Sequence, residues 1–238
     1  MAAAHRLIVA LDVNTRESAL KLVAALRPRV AHFKVGLELF TACGPSLVRE
    51  ILSGGSQVFL DLKFHDIPNT VARASVEAAR LGVGMFTLHL SGGPMMARRA
   101  VDEVEAHCQI HRLARPLIFG VTVLTSLSQD DLDQIGVPRP LEDQVQALTA
   151  LARTAGLDGV VASPREVRAV RQAAGTDLKI VTPGIRLPGS EPDDQERTLT
   201  PREAIEAGAD DLVVGRPIVK ARDPLEAAET ILLQMDGA

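Results

Sequence analysis

Eight short apolar runs divide the chain, and each is followed by a segment with the periodicity of an amphipathic helix. The runs cover residues 7–11, 32–35, 58–62, 85–90, 117–123, 159–162, 179–182 and 212–214. Strands that alternate with helices assemble into parallel sheets whose faces those helices cover. Eight consecutive units of this kind predict a closed parallel α/β barrel, the (β/α)8 fold.

The alternative architecture for the same alternation is an open, doubly wound sheet. That fold usually begins with a glycine-rich first turn, whereas the first turn here reads Asp12-Val13-Asn14-Thr15. A length of 238 residues falls within the range of barrels that form one domain. We therefore predict a single barrel domain over residues 1–238.

Charge and composition exclude several classes of partner. The net charge of -4 is dispersed along the chain, so no basic stripe exists to neutralise a nucleic acid. Tryptophan and tyrosine are absent, which removes the usual platforms for base stacking. The sequence shows neither a secretory signal nor a membrane-spanning window. The isolated Cys43 and Cys108 fit a reducing compartment, so we expect a cytoplasmic protein that binds no membrane.

The stretch VFLDLKFHDIPNTV, residues 58–71, concentrates charge where an apolar strand gives way to a helix. Asp61, Lys63 and Asp66 lie at this junction. Charged residues also occur where an ordinary strand reaches solvent, and that is the alternative interpretation. The spacing Asp-x-Lys-x-x-Asp, followed by a helix start, favours a functional site.

Alternation along the first three strands predicts a row of charges at one end of the barrel. Side chains two residues apart share a strand face, which groups Asp12, Lys34, Asp61 and Lys63 on the inward side. Neighbouring carboxylates favour the protonated form of a lysine. The sequence therefore predicts that Lys63 carries a proton that it can donate in a reaction.

The loops after the seventh and eighth strands have the composition of an anion site. Gly215 and Arg216 follow the eighth strand, and Pro183, Gly184 and Arg186 follow the seventh. These two loops commonly bind phosphate in barrels of this kind. A capped helix with a surface arginine is the alternative. The long polar segment 184–200 that begins here is predicted to be a lid over the site.

Other polar residues carry less specific signals. His107 and His111 have helical spacing, but no further ligand stands at a metal-binding spacing, so we interpret them as an ordinary polar helix face. His89, at the end of the fourth strand, is interpreted as a hydrogen-bonded rim residue rather than an acid or base. Thr125 could contact a ring amide, although a simple turn predicts the same residue.

Several of these motifs together are recognisable. DLKFHDIPNTV closely resembles the signature of the orotidine 5'-phosphate decarboxylase family, and the likeness extends to LDV, FKVG, HLSGG, VTVLTS, TPGIR and VVGRPI. The resemblance implies a homodimeric TIM barrel that needs no cofactor or metal. It implies a carboxy-lyase that converts orotidine 5'-phosphate to UMP and carbon dioxide, the last step of de novo pyrimidine biosynthesis.

The resemblance also implies roles for single residues. Lys63 matches the proton donor, within a catalytic network of Lys34, Asp61, Lys63 and Asp66. Asp66, Ile67 and Thr70 match residues that reach the active site of the other subunit. The substrate-binding positions implied are Asp12, Lys34, Asp61, Ile67, Thr70, Thr125, Pro183, Arg186, Gln195, Gly215 and Arg216.

Two other functions fit parts of the pattern. A hexulose-phosphate synthase-like enzyme would use Asp-x-Lys-x-x-Asp with a metal to stabilise an enediolate, and chelators would abolish its activity. A non-catalytic sensor of nucleotide phosphates would bind UMP without consuming orotidine 5'-phosphate. An assay with and without chelator separates both from the decarboxylase.

Overall fold

The computed structural model describes residues 3–187 and 198–237, and it confirms the predicted barrel. Eight parallel strands follow one another around the barrel in chain order, and β8 pairs with β1 to close it. They are β1 (Leu7–Ala10), β2 (His32–Gly36), β3 (Gln57–Phe64), β4 (Met85–His89), β5 (Leu117–Val121), β6 (Gly159–Val161), β7 (Lys179–Thr182) and β8 (Asp211–Val214). Every predicted apolar run contains a strand, and the ends differ by at most two residues.

Helices connect the strands and form the outer layer. They are α1 (Arg16–Leu26), α2 (Leu37–Ser53), α3 (Pro68–Leu81), α4 (Pro94–His111), α5 (Gln129–Gln134), α6 (Leu141–Ala155), α7 (Val167–Ala174), α8 (Pro201–Ala207), α9 (Arg216–Val219) and α10 (Pro224–Asp236). Short 3-10 turns occur at Ala3–His5, Leu90–Gly92 and Pro164–Glu166.

Local chemistry sets the helix ends. Thr15 caps α1, where its hydroxyl accepts a hydrogen bond from the Ser18 amide. Gly82 ends α3 in the left-handed conformation, with a φ of 84°, which glycine adopts without steric cost. Gly44, at a φ of 65°, and Pro45 kink α2. Each helix that follows a strand starts at the carboxyl-terminal rim of the barrel and ends at the opposite rim.

The core has two layers. The larger one lies between the strands and the surrounding helices, where buried residues such as Phe33, Phe86 and Leu212 pack. The smaller one fills the barrel interior and consists of Ile8, Ala10, Phe59, Met85, Phe119, Val181 and Val213. The rings of Phe59 and Phe119 meet edge to face, with centroids 5.9 Å apart. This interior layer is a solid floor beneath the barrel mouth.

The described ends of the predicted lid lie close together. Ile185 and Leu199 form an isolated parallel bridge, and the Arg186 amide donates a hydrogen bond to the Leu199 carbonyl at 3.0 Å. Gln195 lies outside the described residues, as does the stretch 188–197 that contains it. The lid and the role of Gln195 therefore stay predictions.

Two further observations concern the sequence predictions. Cys43 and Cys108 are both free thiols, and Cys108 is buried. Within residues 3–187 and 198–237, no helix combines the length and the apolar character that crossing a membrane requires.

Candidate active site

A cavity opens at the carboxyl ends of the strands and gathers nine of the predicted site residues. Its wall includes Asp12, Lys34, Asp61, Lys63, Thr125, Pro183, Arg186, Gly215 and Arg216. Its apolar floor comes from the interior layer and includes Ala10, Phe59, Val181 and Val213. Charged and polar groups thus converge on an apolar concave surface, the usual composition of a small-molecule site.

The predicted row of charges forms a connected network centred on Asp61. The Lys63 ammonium lies 2.9 and 3.0 Å from the two carboxylate oxygens of Asp61. The Lys34 Nζ lies 3.5 Å from Asp61 Oδ2 and 3.3 Å from Asp12 Oδ1. Both oxygens of Asp61 are therefore engaged by ammonium groups, and two cations are balanced by two anions at the mouth of the barrel.

Electrostatics keeps Asp61 ionised although its side chain is only 13% exposed. Burial by itself would raise the pKa of this carboxyl, because the charged form loses hydration. The positive charges of Lys34 and Lys63, with hydrogen bonds from Lys63 and Thr87, outweigh burial and hold the pKa below its usual value. The carboxylate is a fixed anion in the cavity wall.

The end of β3 departs from the alternation used in the sequence analysis. Phe59 and Leu60 pair with Met85 and Phe86, but the next pair is Phe64 with Leu88. The register shifts between them, and Lys63 adopts a φ of 49°. Lys63 therefore reaches the predicted cavity together with Phe59 and Asp61, but through an irregular, left-handed backbone rather than a regular strand. Such a conformation is uncommon for a residue with a side chain.

Thr87 on β4 is a site residue that the sequence analysis missed. It is fully buried, accepts a hydrogen bond from the Lys63 amide at 2.9 Å and donates one to Asp61 Oδ1 at 3.0 Å. A signal was available, because Thr87 shares a strand face with Met85 and His89 and is therefore an inward-facing polar residue.

The opposite side of the cavity carries the two predicted arginines. Arg186 follows β7, and Arg216 follows β8 as the first residue of the four-residue α9. A side chain at Gly215 would place its Cβ 2.9 Å from Asp12 Oδ2. Glycine at this position therefore lets β8 end close against β1 without displacing the Asp12 carboxylate.

Three predicted residues do not line this cavity. Asp66, Ile67 and Thr70 are exposed at the start of α3, and the side chain of Ile67 is 67% accessible. Asp66 Oδ1 accepts a hydrogen bond from the Ile67 amide at 2.6 Å. Their predicted roles thus depend on a second subunit, which the cavity of one chain does not test.

The described residues contain three pairs of neighbouring histidine rings, and two of these pairs include histidines singled out in the sequence. Next to the cavity, His89 Nδ1 lies 2.8 Å from the Ser91 hydroxyl, and the His89 ring stacks on His65. Burial, together with the charges of His65 and Lys63, lowers the pKa of His89. The rings of His107 and His111 lie next to each other on α4 in a tilted arrangement, with centroids 4.2 Å apart. Among the side chains that the structure describes, no three potential metal ligands form a cluster.

The sequence matches a known family over almost its whole length. Residues 5–231 match the model of the "Orotidine 5'-phosphate decarboxylase / HUMPS family". The chain belongs to this family. The match covers every strand and every cavity residue described above, including Asp61, Lys63 and Arg216.

Two relatives and one solved structure share a description. A protein of Syntrophotalea carbinolica named orotidine 5'-phosphate decarboxylase is 53% identical over 236 residues, or 99% of this chain and 97% of that protein. One of Syntrophomonas wolfei with the same name is 50% identical over 238 residues, or 99% of this chain and 100% of that protein. The crystal structure of orotidine 5'-phosphate decarboxylase from Lactobacillus acidophilus superposes with a TM-score of 0.86 at 37% identity, covering 98% of this chain and 99% of that one.

Replacing Asp61 with asparagine tests the electrostatic balance of the network. Because the folded-state pKa of Asp61 lies below its usual value, ionisation of this carboxyl stabilises the fold. This contribution is complete above the unfolded pKa of about 3.9 and is lost as the pH falls through the lower folded value. We expect the free energy of unfolding of Asp61→Asn at pH 7 to be lower than that of the wild type. This difference in the free energy of unfolding should become smaller as the pH is lowered. Urea denaturation of both proteins over a range of pH measures it.

Asp236→Asn is the control for the loss of one negative charge. Asp236 is exposed at the end of α10. This description of Asp61 is contradicted if wild type and Asp61→Asn have the same free energy of unfolding at pH 7, or if the difference between them grows as the pH falls.

Proposed function

We propose that the chain decarboxylates orotidine 5'-phosphate to UMP and carbon dioxide, in the pathway of pyrimidine biosynthesis. The observation that carries the proposal is the Lys63 ammonium held 2.9 Å from Asp61, in a cavity whose opposite side presents Arg186 and Arg216. Family membership and close relatives of the same name support this activity.

We propose one orientation for the substrate in this cavity. Arg186 and Arg216 bind the phosphate, since guanidinium groups form paired hydrogen bonds with its oxygens. Asp12 and Lys34 contact the ribose, and Thr125 lies beside the pyrimidine. The C6 atom of the pyrimidine and the carboxylate attached to it then face Lys63 and Asp61, on the side of the charged network that is nearer the cavity floor. Gln195, which the resemblance puts on the phosphate side, completes this proposed set.

The reaction requires a cation at C6. When the bond between C6 and the carboxylate breaks, carbon dioxide leaves and the electron pair stays on C6 in the ring plane. The Lys63 ammonium stabilises this charge and then transfers a proton to C6, which gives UMP. The neutral amine regains a proton from water, so the enzyme returns to its starting state.

Asp61 has two effects in this scheme. Its carboxylate binds Lys63 and so fixes the ammonium before the substrate arrives, which removes the cost of orienting it during the reaction. Its negative charge also opposes the substrate carboxylate, and that repulsion is relieved when neutral carbon dioxide forms. Both effects favour the transition state over the bound substrate.

A metal-dependent aldolase of the same barrel class is the competing function, since the family description includes a second name. In that mechanism the aspartates bind a metal that stabilises an enediolate. Here both oxygens of Asp61 lie within 3.5 Å of lysine ammonium groups, which favours ammonium chemistry at this position.

We expect the wild type to convert orotidine 5'-phosphate, followed by absorbance, at the same rate with and without EDTA. Lys63→Ala should lower kcat by at least about 10³-fold, because it removes both the general acid and the cation at C6. Lys179→Ala, a lysine with a 49% exposed side chain at the start of β7, is the matched control and should retain activity.

Loss of activity with EDTA favours the aldolase. A wild type that binds UMP but leaves orotidine 5'-phosphate unchanged is a sensor instead. Circular dichroism of Lys63→Ala confirms that a loss of turnover does not come from unfolding.

We also propose a homodimer in which Asp66, Ile67 and Thr70 enter the partner's site. Three exposed apolar side chains support an interface at this rim: Leu37 at 58%, Ile67 at 67% and Met95 at 72% accessibility. They stand at the starts of α2, α3 and α4, which follow three neighbouring strands. An apolar patch of this kind on one side of the mouth is typical of a subunit contact.

Mixed dimers test the shared site. Lys63→Ala and Asp66→Asn should each be nearly inactive alone, whereas a dimer of one chain of each keeps one intact site. Random mixing should restore about a quarter of wild-type activity, since half of the dimers are mixed and half of their sites are intact.

Light scattering gives the oligomeric state in the same experiment. Ile67→Arg should yield monomers, and Ile110→Arg, at a 76% exposed position far along α4, should not. No recovery of activity after exchange of subunits contradicts the shared site.

We propose that residues 1–238 form one domain, which the family match over residues 5–231 supports. We propose a cytoplasmic enzyme, which the two free cysteines support because disulfides are rare in reducing compartments.

A further inference from the structure

We propose that Thr87 is a positioning residue that holds the Lys63 and Asp61 pair in its reactive arrangement. The inference rests on the proposed decarboxylase function. Thr87 does not line the described cavity, and its action passes through the two residues that do.

The Thr87 hydroxyl accepts one hydrogen bond and donates another. Its oxygen accepts from the Lys63 amide at 2.9 Å, and its proton goes to Asp61 Oδ1 at 3.0 Å. A hydroxyl offers one proton, and an ionised carboxylate can only accept. The Thr87 proton therefore goes to Asp61 Oδ1, and this hydrogen bond is strongest while Asp61 is ionised, the state in which it also binds the Lys63 ammonium.

The strand pairing explains why Lys63 needs this contact. Between the Leu60 and Phe64 pairs, residues 61–63 of β3 stand opposite the single residue Thr87 of β4. Such a bulge interrupts the regular ladder between neighbouring strands. The Thr87 side chain gives the Lys63 amide a partner in this interruption, and Lys63 is also the residue with a φ of 49°.

One oxygen atom thus restrains both members of the pair. It fixes the backbone from which the lysine extends, and it fixes the carboxylate that the ammonium binds. Displacement of catalytic groups by about 1 Å can cost about 100-fold in rate. The hydrogen bond from Thr87 also lowers the pKa of Asp61, so its removal should raise that pKa.

Thr87→Val keeps the shape of the side chain and removes the hydroxyl. We expect kcat for orotidine 5'-phosphate to fall by about 10- to 100-fold with little change in KM. The acid limb of the profile of kcat/KM against pH should move to higher pH, because Asp61 takes up a proton more readily. Thr87→Ser, which retains the hydroxyl, should restore most of the activity and the wild-type pH profile.

Thr149→Val is the matched control. Thr149 is equally buried, but its hydroxyl bonds to the Val145 carbonyl within α6, far along the chain from the site. This variant should keep wild-type kcat and the wild-type pH profile. If Thr87→Val does not fold, Thr87→Ala and Thr87→Ser form a second pair that differs in one oxygen atom, and the same difference in kcat and pH profile is expected between them.

The outcomes separate this inference from the proposed function. A wild type that does not convert orotidine 5'-phosphate defeats the proposed function, and the carboxyl titration of Asp61 by 13C NMR then tests Thr87 alone. A higher pKa of Asp61 in Thr87→Val or Thr87→Ala than in the wild type supports the inference. An active wild type whose kcat and pH profile are unchanged by loss of the hydroxyl overturns it, as does a serine variant that falls as far as the valine or alanine variant.

Discussion

The ion pairs of Asp61 with Lys34 and Lys63 are the constraint on which the site depends. A buried carboxylate is costly unless cations and hydrogen bonds compensate for its lost hydration, and here both do. The network fixes an ammonium group in an apolar cavity before any substrate binds. Preorganisation of this kind is the main source of electrostatic catalysis, because the cation does not have to be reoriented during the reaction.

The barrel produces this arrangement because its first three strands lie side by side. Parallel strands in chain order bring the ends of β1, β2 and β3 together, so residues far apart in sequence share one rim. The interior layer that includes Phe59 and Phe119 excludes water from below, and the loops after β7 and β8 close the other side with arginines. The network of lysines and aspartates and the two arginines therefore line one cavity.

The sequence predicted the strands and most of the cavity because both follow from regular periodicity. All eight apolar runs contain strands, and the residues at their carboxyl ends meet as the fold requires. The backbone conformation of Lys63 does not follow from this periodicity. Its φ of 49° comes from a shift in strand pairing, which depends on both strands and has no signal in β3 alone. Thr87 was missed although alternation along β4 places it on the inward face, because its contacts with the neighbouring strand do not follow from alternation. Asp66 lies outside the cavity of one chain, and its proposed role requires a second chain, which the pattern of one chain does not specify.

A crystal structure of the chain with bound UMP tests the central claim most directly. The account predicts that the Lys63 Nζ lies about 3 Å from C6 of the nucleotide, within the range of proton transfer, and that the phosphate lies between Arg186 and Arg216. A nucleotide bound in the reverse orientation, or one whose C6 faces away from Lys63, would contradict it.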